Sequence, residues 1–114
     1  MKRISTHVLD IAQGKPAKDV PVLLERWETT GGWIQLSSLR TDEDGRCGQL
    51  LPEDDPLGAG LYRITFDTGS YQHSQKTATL YPLIKITFQV REGESQFHIP
   101  LLLSPYGYST YRGT

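Results

Sequence analysis

Three histidines, His7, His73 and His98, are the side chains best suited to exchange a proton near neutral pH. Two of them fall in stretches of alternating apolar character. In residues 4–10, ISTHVLD, the side chains of Ile4, Thr6 and Val8 share one face and His7 lies on the other. In residues 96–103, QFHIPLLL, the side chains of Phe97, Ile99, Leu101 and Leu103 share one face. His98 lies opposite them with Gln96, Pro100 and Leu102. Each imidazole is therefore turned away from the stronger apolar stripe. On alternation alone this is also the pattern of an ordinary solvent-facing strand histidine, since fold pattern does not specify function. His73, within SYQHS at 70–74, belongs to the least regular segment and reads as a surface residue.

Arg46 follows the turn residues Asp44 and Gly45. A guanidinium fixed at a strand start can fork onto a planar carbonyl or imide through two parallel hydrogen bonds. It can equally be a solvated edge residue or a partner for Asp42, and Arg112 is open to the same two readings. Cys47 is the one cysteine, so no intrachain disulfide is possible and no CxxC metal spacing exists. It reads as a small buried hydrophobe. The chain has no HExxH, P-loop or GxGxxG motif. The acidic run at 53–55 lacks the calcium-loop spacing and reads as a solvated loop.

The elements that must position these residues have a period of two, with turn residues every 8–12 positions. Strands are expected at 4–10, 20–27, 33–39, 61–67, 84–90, 96–103 and 109–114. Turns are expected at 12–16, 42–45 and 91–94, and a polar loop at 52–60. Two glycines in TTGG at 29–32 supply the positive φ of a hairpin between the second and third strands. Residues 70–77 lack alternation and fit one short helix. Seven or eight strands with one helix make an all-β, two-sheet sandwich. At 114 residues the chain is expected to be a single domain spanning 1–114.

Composition excludes several classes. Hydrophobic content of 37% and charged content of 22% belong to a folded globular chain. The net charge of −1, with basic residues scattered, leaves no nucleic-acid footprint. Met1, Lys2 and Arg3 begin like a signal peptide, but Ser5, Thr6, His7 and Asp10 interrupt the apolar run that should follow. No stretch approaches membrane-spanning length. With no peroxisomal signal at the C-terminal end either, the expectation is a cytoplasmic protein that meets neither membrane nor nucleic acid.

Two blocks carry a family resemblance. STHVLD at 5–10, followed by GKPA at 14–17, resembles the N-terminal signature of the 5-hydroxyisourate hydrolases, the transthyretin-related enzymes of urate breakdown. PLLLSPYGYSTYRGT at 100–114 resembles their C-terminal signature, and TDEDGR at 41–46 and residues 62–71 occur in the expected order. The resemblance implies a transthyretin-like sandwich of two four-stranded sheets, a homotetramer with sites in a channel at the dimer–dimer interface, and no metal or other cofactor. It implies hydrolysis of a ring amide of 5-hydroxyisourate to 2-oxo-4-hydroxy-4-carboxy-5-ureidoimidazoline. His7, Arg46 and His98 match the family's active-site histidines and arginine. Tyr111, Arg112, Gly113 and Thr114 match its terminal Tyr-Arg-Gly-Ser, with Thr114 replacing serine but keeping a hydroxyl. By this resemblance His7, Arg46, His98 and Thr114 are expected to be catalytic, and Tyr111, Arg112 and Gly113 to bind substrate. Gln96 stands where many members carry another histidine. The competing class is a transthyretin-type carrier of a hormone-like small molecule. At the positions of His7, Arg46 and His98, transthyretin holds lysine, glutamate and threonine.

Overall fold

The computed structural model describes residues 2–114. The first strand, β1 (Arg3–Asp10), buries Ile4, Thr6, Val8 and Asp10, while Ser5, His7 and Leu9 stay partly exposed. This is the alternation expected of a half-buried strand. After it come β2 (Lys15–Pro16), β3 (Pro21–Glu28), β4 (Gly32–Arg40), β5 (Arg46–Cys47) and β6 (Gly60–Phe66). The helix α1 (Thr68–Ser74) is followed by β7 (Ile84–Val90), β8 (Gln96–His98), β9 (Leu101–Ser104) and β10 (Gly107–Thr110).

Two sheets result, with β4, β3, β6 and β7 forming an antiparallel sheet in that spatial order. The other sheet is organised around β1. On one edge β1 pairs in parallel with β8, Ser5 opposite His98, and then with β9, Val8 opposite Leu101. On the other edge it pairs antiparallel with β5, His7 opposite Arg46, and with β2, Leu9 opposite Pro16. The inner faces meet in a cluster that includes Ile4, Val8, Val22, Leu24, Tyr62, Ile64, Phe66, Phe97, Leu101 and Leu103. Each large apolar side chain removed from water there contributes about 1.5–3 kcal/mol.

The two-sheet sandwich and its one helix are as expected, and the strand count exceeds seven or eight because two-residue strands, β2 and β5, form against β1 and because one expected strand is broken. Pro100 has no N–H for a ladder, so the expected strand 96–103 divides into β8 and β9. The carbonyls at the break are still satisfied. The Thr6 hydroxyl donates to that of Ile99 at 2.6 Å and the Thr110 hydroxyl to that of Pro100 at 2.8 Å. Strand 109–114 is likewise corrected: β10 ends at Thr110, and pairing resumes only as a bridge between Gly113 and His98. The helix starts at Thr68 rather than at 70, because the Asp67 carboxylate caps it by accepting from the Ser70 N–H at 3.0 Å. The acidic loop is also less solvated than expected: Glu53 and Asp54 are exposed, but Asp55 pairs with Arg26 at 2.9 Å.

One turn governs the site's geometry. Oδ1 of Asp42 accepts from the backbone N–H groups of Asp44 and Arg46, each at 2.9 Å, and Gly45 closes the turn with φ of +77°. The Gly45 carbonyl accepts the Val8 N–H at 2.7 Å, bringing its Cα against β1. A Cβ at Gly45 would collide with the Val8 carbonyl oxygen. Gly14 has a similar φ of +67° but open space around it. Gly14→Ala is therefore expected to cost about 1 kcal/mol from backbone conformation alone, and Gly45→Ala about 2–4 kcal/mol. Urea denaturation of both variants measures the difference. Equal losses would remove the close approach to β1 as a constraint.

Candidate active site

β1 presents Arg3, Ser5 and His7 on its outer face. The β5 ladder sets Arg46 opposite His7, and the parallel β8 ladder sets His98 opposite Ser5. Three separate segments thus bring two imidazoles and a guanidinium to one side of one sheet. A cavity of about 560 Å³ opens there. Its wall includes Arg3, Ser5, Arg46, His98, Arg112 and Thr114. Of the residues expected from sequence, Arg46, His98, Arg112, Gly113 and Thr114 line it, whereas His7 and Tyr111 stand outside the wall. His7 remains adjacent through its pairing with Arg46. Tyr111 is 57% exposed, and the expectation that it binds substrate gains no contact with the cavity of a single chain.

The two imidazoles are held differently. Nε2 of His7 lies 2.8 Å from the Asp44 carbonyl oxygen. A carbonyl only accepts, so Nε2 carries the proton and donates, and Nδ1 is left as the ring's acceptor. The same Asp42–Gly45 turn therefore both aims Arg46 and orients His7. Nδ1 of His98 lies 2.8 Å from the Ser5 hydroxyl, a group that can donate or accept. Burial first, and then the electrostatic influence of Arg46, His7 and Arg3, hold the pKa of His98 below the ordinary histidine value of 6.5. His98 is consequently uncharged at neutral pH.

The terminal segment is clamped over His98. The Gly113 N–H donates to the His98 carbonyl at 2.7 Å. A Cβ on Gly113 would stand 2.6 Å from Cδ2 of the imidazole and 3.3 Å from Pro100, so only glycine lets the segment lie against the ring. Arg112 is expected from sequence to bind substrate, but most of its reach is already used. Its Nη1 donates to Glu94 at 3.0 Å, its Nη2 to the Gln96 carbonyl at 3.1 Å, and its guanidinium lies 4.4 Å from the centre of the Phe97 ring. Hydrogen bonds from the Arg91 N–H and from Arg112 hold the Glu94 pKa below its ordinary value. Arg112 thus clamps the terminus while still contributing to the wall. Arg46 and Arg3 carry no ion pair among the described residues, and both face the cavity.

The other reactive residues play no part here. Burial pushes the Cys47 thiol up to about 11, so it is not a ready nucleophile. His73 is exposed on α1, away from this cavity. Among the described residues no group of three or more His, Cys, Asp or Glu side chains is placed to hold a metal ion. No helix among them is long and apolar enough to cross a membrane. Sequence reasoning missed Ser5, Arg3 and the Asp44 carbonyl as members of the site. Ser5 and Arg3 were detectable as period-two neighbours of His7, but the carbonyl had no signal in residue type.

Similarity to known proteins agrees with this geometry. A family model described as HIUase/Transthyretin family matches residues 4–113. A Salmonella typhimurium protein named 5-hydroxyisourate hydrolase is 46% identical over 111 residues, covering 97% of this chain and 80% of the relative. The solved Klebsiella pneumoniae 5-hydroxyisourate hydrolase is 38% identical, with a TM-score of 0.85 and both chains covered fully. Sea bream transthyretin, solved in complex with thyroxine, is 30% identical with a TM-score of 0.89, covering 97% of this chain and 94% of that one. Backbone shape alone therefore matches enzyme and carrier equally well, but the match along the sequence is decisive for kinship: the chain belongs to the HIUase/Transthyretin family.

Proposed function

We propose that this protein hydrolyses 5-hydroxyisourate to 2-oxo-4-hydroxy-4-carboxy-5-ureidoimidazoline in the cytoplasm, acting as one domain over residues 1–114. The observation that carries the reading is the convergence beside the outer face of β1 of His98, oriented His7 and Arg46, which has no ion pair among the described residues. A planar substrate rich in carbonyls fits a wall with two guanidiniums, those of Arg3 and Arg46, that form no ion pair among the described residues, because each can fork onto carbonyl oxygens. An iodinated hormone-like ligand needs a mainly apolar channel, and Arg3, Arg46 and Arg112 disfavour it here.

In this reading neutral His98 takes a proton from water, and the water oxygen bonds to the ring carbonyl carbon. Arg46 holds the negative charge that develops on the carbonyl oxygen. The ring C–N bond then breaks, and the proton that His98 took from water passes to the departing nitrogen, while His7, whose Nε2 donates to the Asp44 carbonyl, accepts a hydrogen bond at Nδ1 and positions the water. The acyl fragment leaves as a carboxylic acid carrying the second hydrogen of the water, and it ionises to a carboxylate by releasing that proton to solvent. The Thr114 hydroxyl orients water or substrate at the wall. The partly exposed cavity supports assembly as a homotetramer in which a second copy covers the site at the dimer–dimer interface.

Generating 5-hydroxyisourate in situ from urate with urate oxidase and following its ultraviolet decay tests the reading. The expected result is decay well above the spontaneous rate, unchanged by EDTA. An unaltered rate with correctly folded protein would return the carrier reading.

The lowered pKa of His98 sets the acid side of the profile. Activity that needs the neutral imidazole falls as pH drops through the folded-state pKa, so the acid limb of kcat/KM should have its midpoint below 6.5. A midpoint at or above 6.5 would exclude His98 as the base.

Gly113→Ala places a methyl group against the His98 ring. It should lower kcat by about tenfold or more while costing only about 1–3 kcal/mol of stability. Wild-type turnover by the variant would show that the terminal segment does not hold the imidazole.

A further inference from the structure

We infer that Ser5 is the positioning residue of His98: its hydroxyl holds Nδ1, leaves Nε2 as the working nitrogen, and does so without adding charge. The inference rests on the hydrolase reading above. Ser5 and His98 are paired residues on adjacent parallel strands, so their side chains emerge from the same face, and Oγ lies 2.8 Å from Nδ1. The contact is part-buried and joins residues 93 apart in sequence. No other side-chain hydrogen bond of the imidazole occurs among the described residues.

The chemistry of the partner matters as much as its position. A carboxylate at Nδ1 would favour imidazolium and raise the pKa of the ring. A hydroxyl donates to a bare Nδ1 and accepts from a protonated one, so it follows the ring through either neutral tautomer. The groups facing His98 from the packed elements are Arg3 and His7 on β1 and Arg46 on β5. Gly113 covers the ring, and Arg112 beside it is bound to Glu94. With that positive surround and a neutral partner, His98 stays uncharged and available to take a proton. His7 differs, since the Asp44 carbonyl fixes one nitrogen as donor. The site thus holds one imidazole in a set tautomer and one with a partner that tolerates both.

The test uses the full chain and three substitutions, Ser5→Ala, Ser5→Thr and Ser5→Asp, with nitrogen-15 NMR of the imidazoles beside the urate-oxidase-coupled assay. Ser5→Ala should change the His98 tautomer balance and lower kcat about tenfold, the scale of one oriented hydrogen bond, with KM within about twofold. Ser5→Thr, which keeps the hydroxyl, should recover most of that loss. Ser5→Asp should raise the acid limb of kcat/KM by about 1–2 pH units, since an opposite charge at hydrogen-bond distance favours imidazolium. A folded Ser5→Ala protein with wild-type kcat and an unchanged His98 spectrum would overturn the inference. So would a loss of activity that Ser5→Thr does not recover and that leaves the spectrum and the pH limb where they were. Absence of turnover in the wild type would instead overturn the hydrolase reading, while the His98 spectrum of Ser5→Ala would still decide whether Ser5 holds that ring.

Discussion

The hydrogen bonding of β1 on both edges is the constraint on which the rest of the site depends. A strand in this position must satisfy its backbone donors and acceptors on each side. It does so with four short partners, β8 and β9 on one edge and β5 and β2 on the other. None of these partners exceeds four residues, so none would form alone. Because side chains alternate along each ladder, fixing the register of β8 and β5 against β1 also fixes the face on which His98 and Arg46 emerge. A slip of one residue in either ladder would send its functional side chain into the core. The buried stripe Ile4, Thr6 and Val8 prevents the slip, since those residues have to face inward.

Electrostatics then sets the character of this face, which the backbone alone does not. The cavity wall holds three arginines, of which only Arg112 is ion-paired among the described residues. Unneutralised guanidiniums in a concave, partly desolvated site attract electron-rich substrates and oppose protonation of neighbouring imidazoles. In the proposed reading, one charge pattern serves substrate affinity, while the same arginines hold the pKa of His98 below its ordinary value. The similarity in shape to both a 5-hydroxyisourate hydrolase and a transthyretin shows how little the backbone itself decides.

Much of this architecture was legible in the sequence, and the exceptions have physical causes. Residues 84–90 alternate cleanly and form β7 over that whole range. The inward stripe of 4–10 and the outward placement of His7 and His98 were readable from period two. The two-residue strands β2 and β5 were not, because so short a segment has no period and exists only through β1. Parallel pairing of β8 with β1 joins residues at opposite ends of the chain, and no local pattern signals it. Asp55 looked like part of a solvated acidic run because its partner, Arg26, is distant in sequence. Arg112 lines the cavity, but its anchoring to Glu94 and the Gln96 carbonyl could not be read from its family match, since those partners lie 18 and 16 residues away. Gly113 was recognisable as a family residue, while the reason for glycine lies in its contact with the His98 ring.

The central claim is that β1 assembles His7 and His98 into one catalytic unit, not two independent contributors. A double-mutant cycle on kcat/KM with His7→Asn, His98→Asn and the double variant tests it most directly. Groups that act in one step are strongly non-additive, because removing either leaves the other without its task. The account predicts that each single variant loses about 100-fold or more, and that the double variant falls no more than about tenfold below the worse single. Losses that simply multiply, or a His98→Asn variant that keeps wild-type turnover, would contradict it.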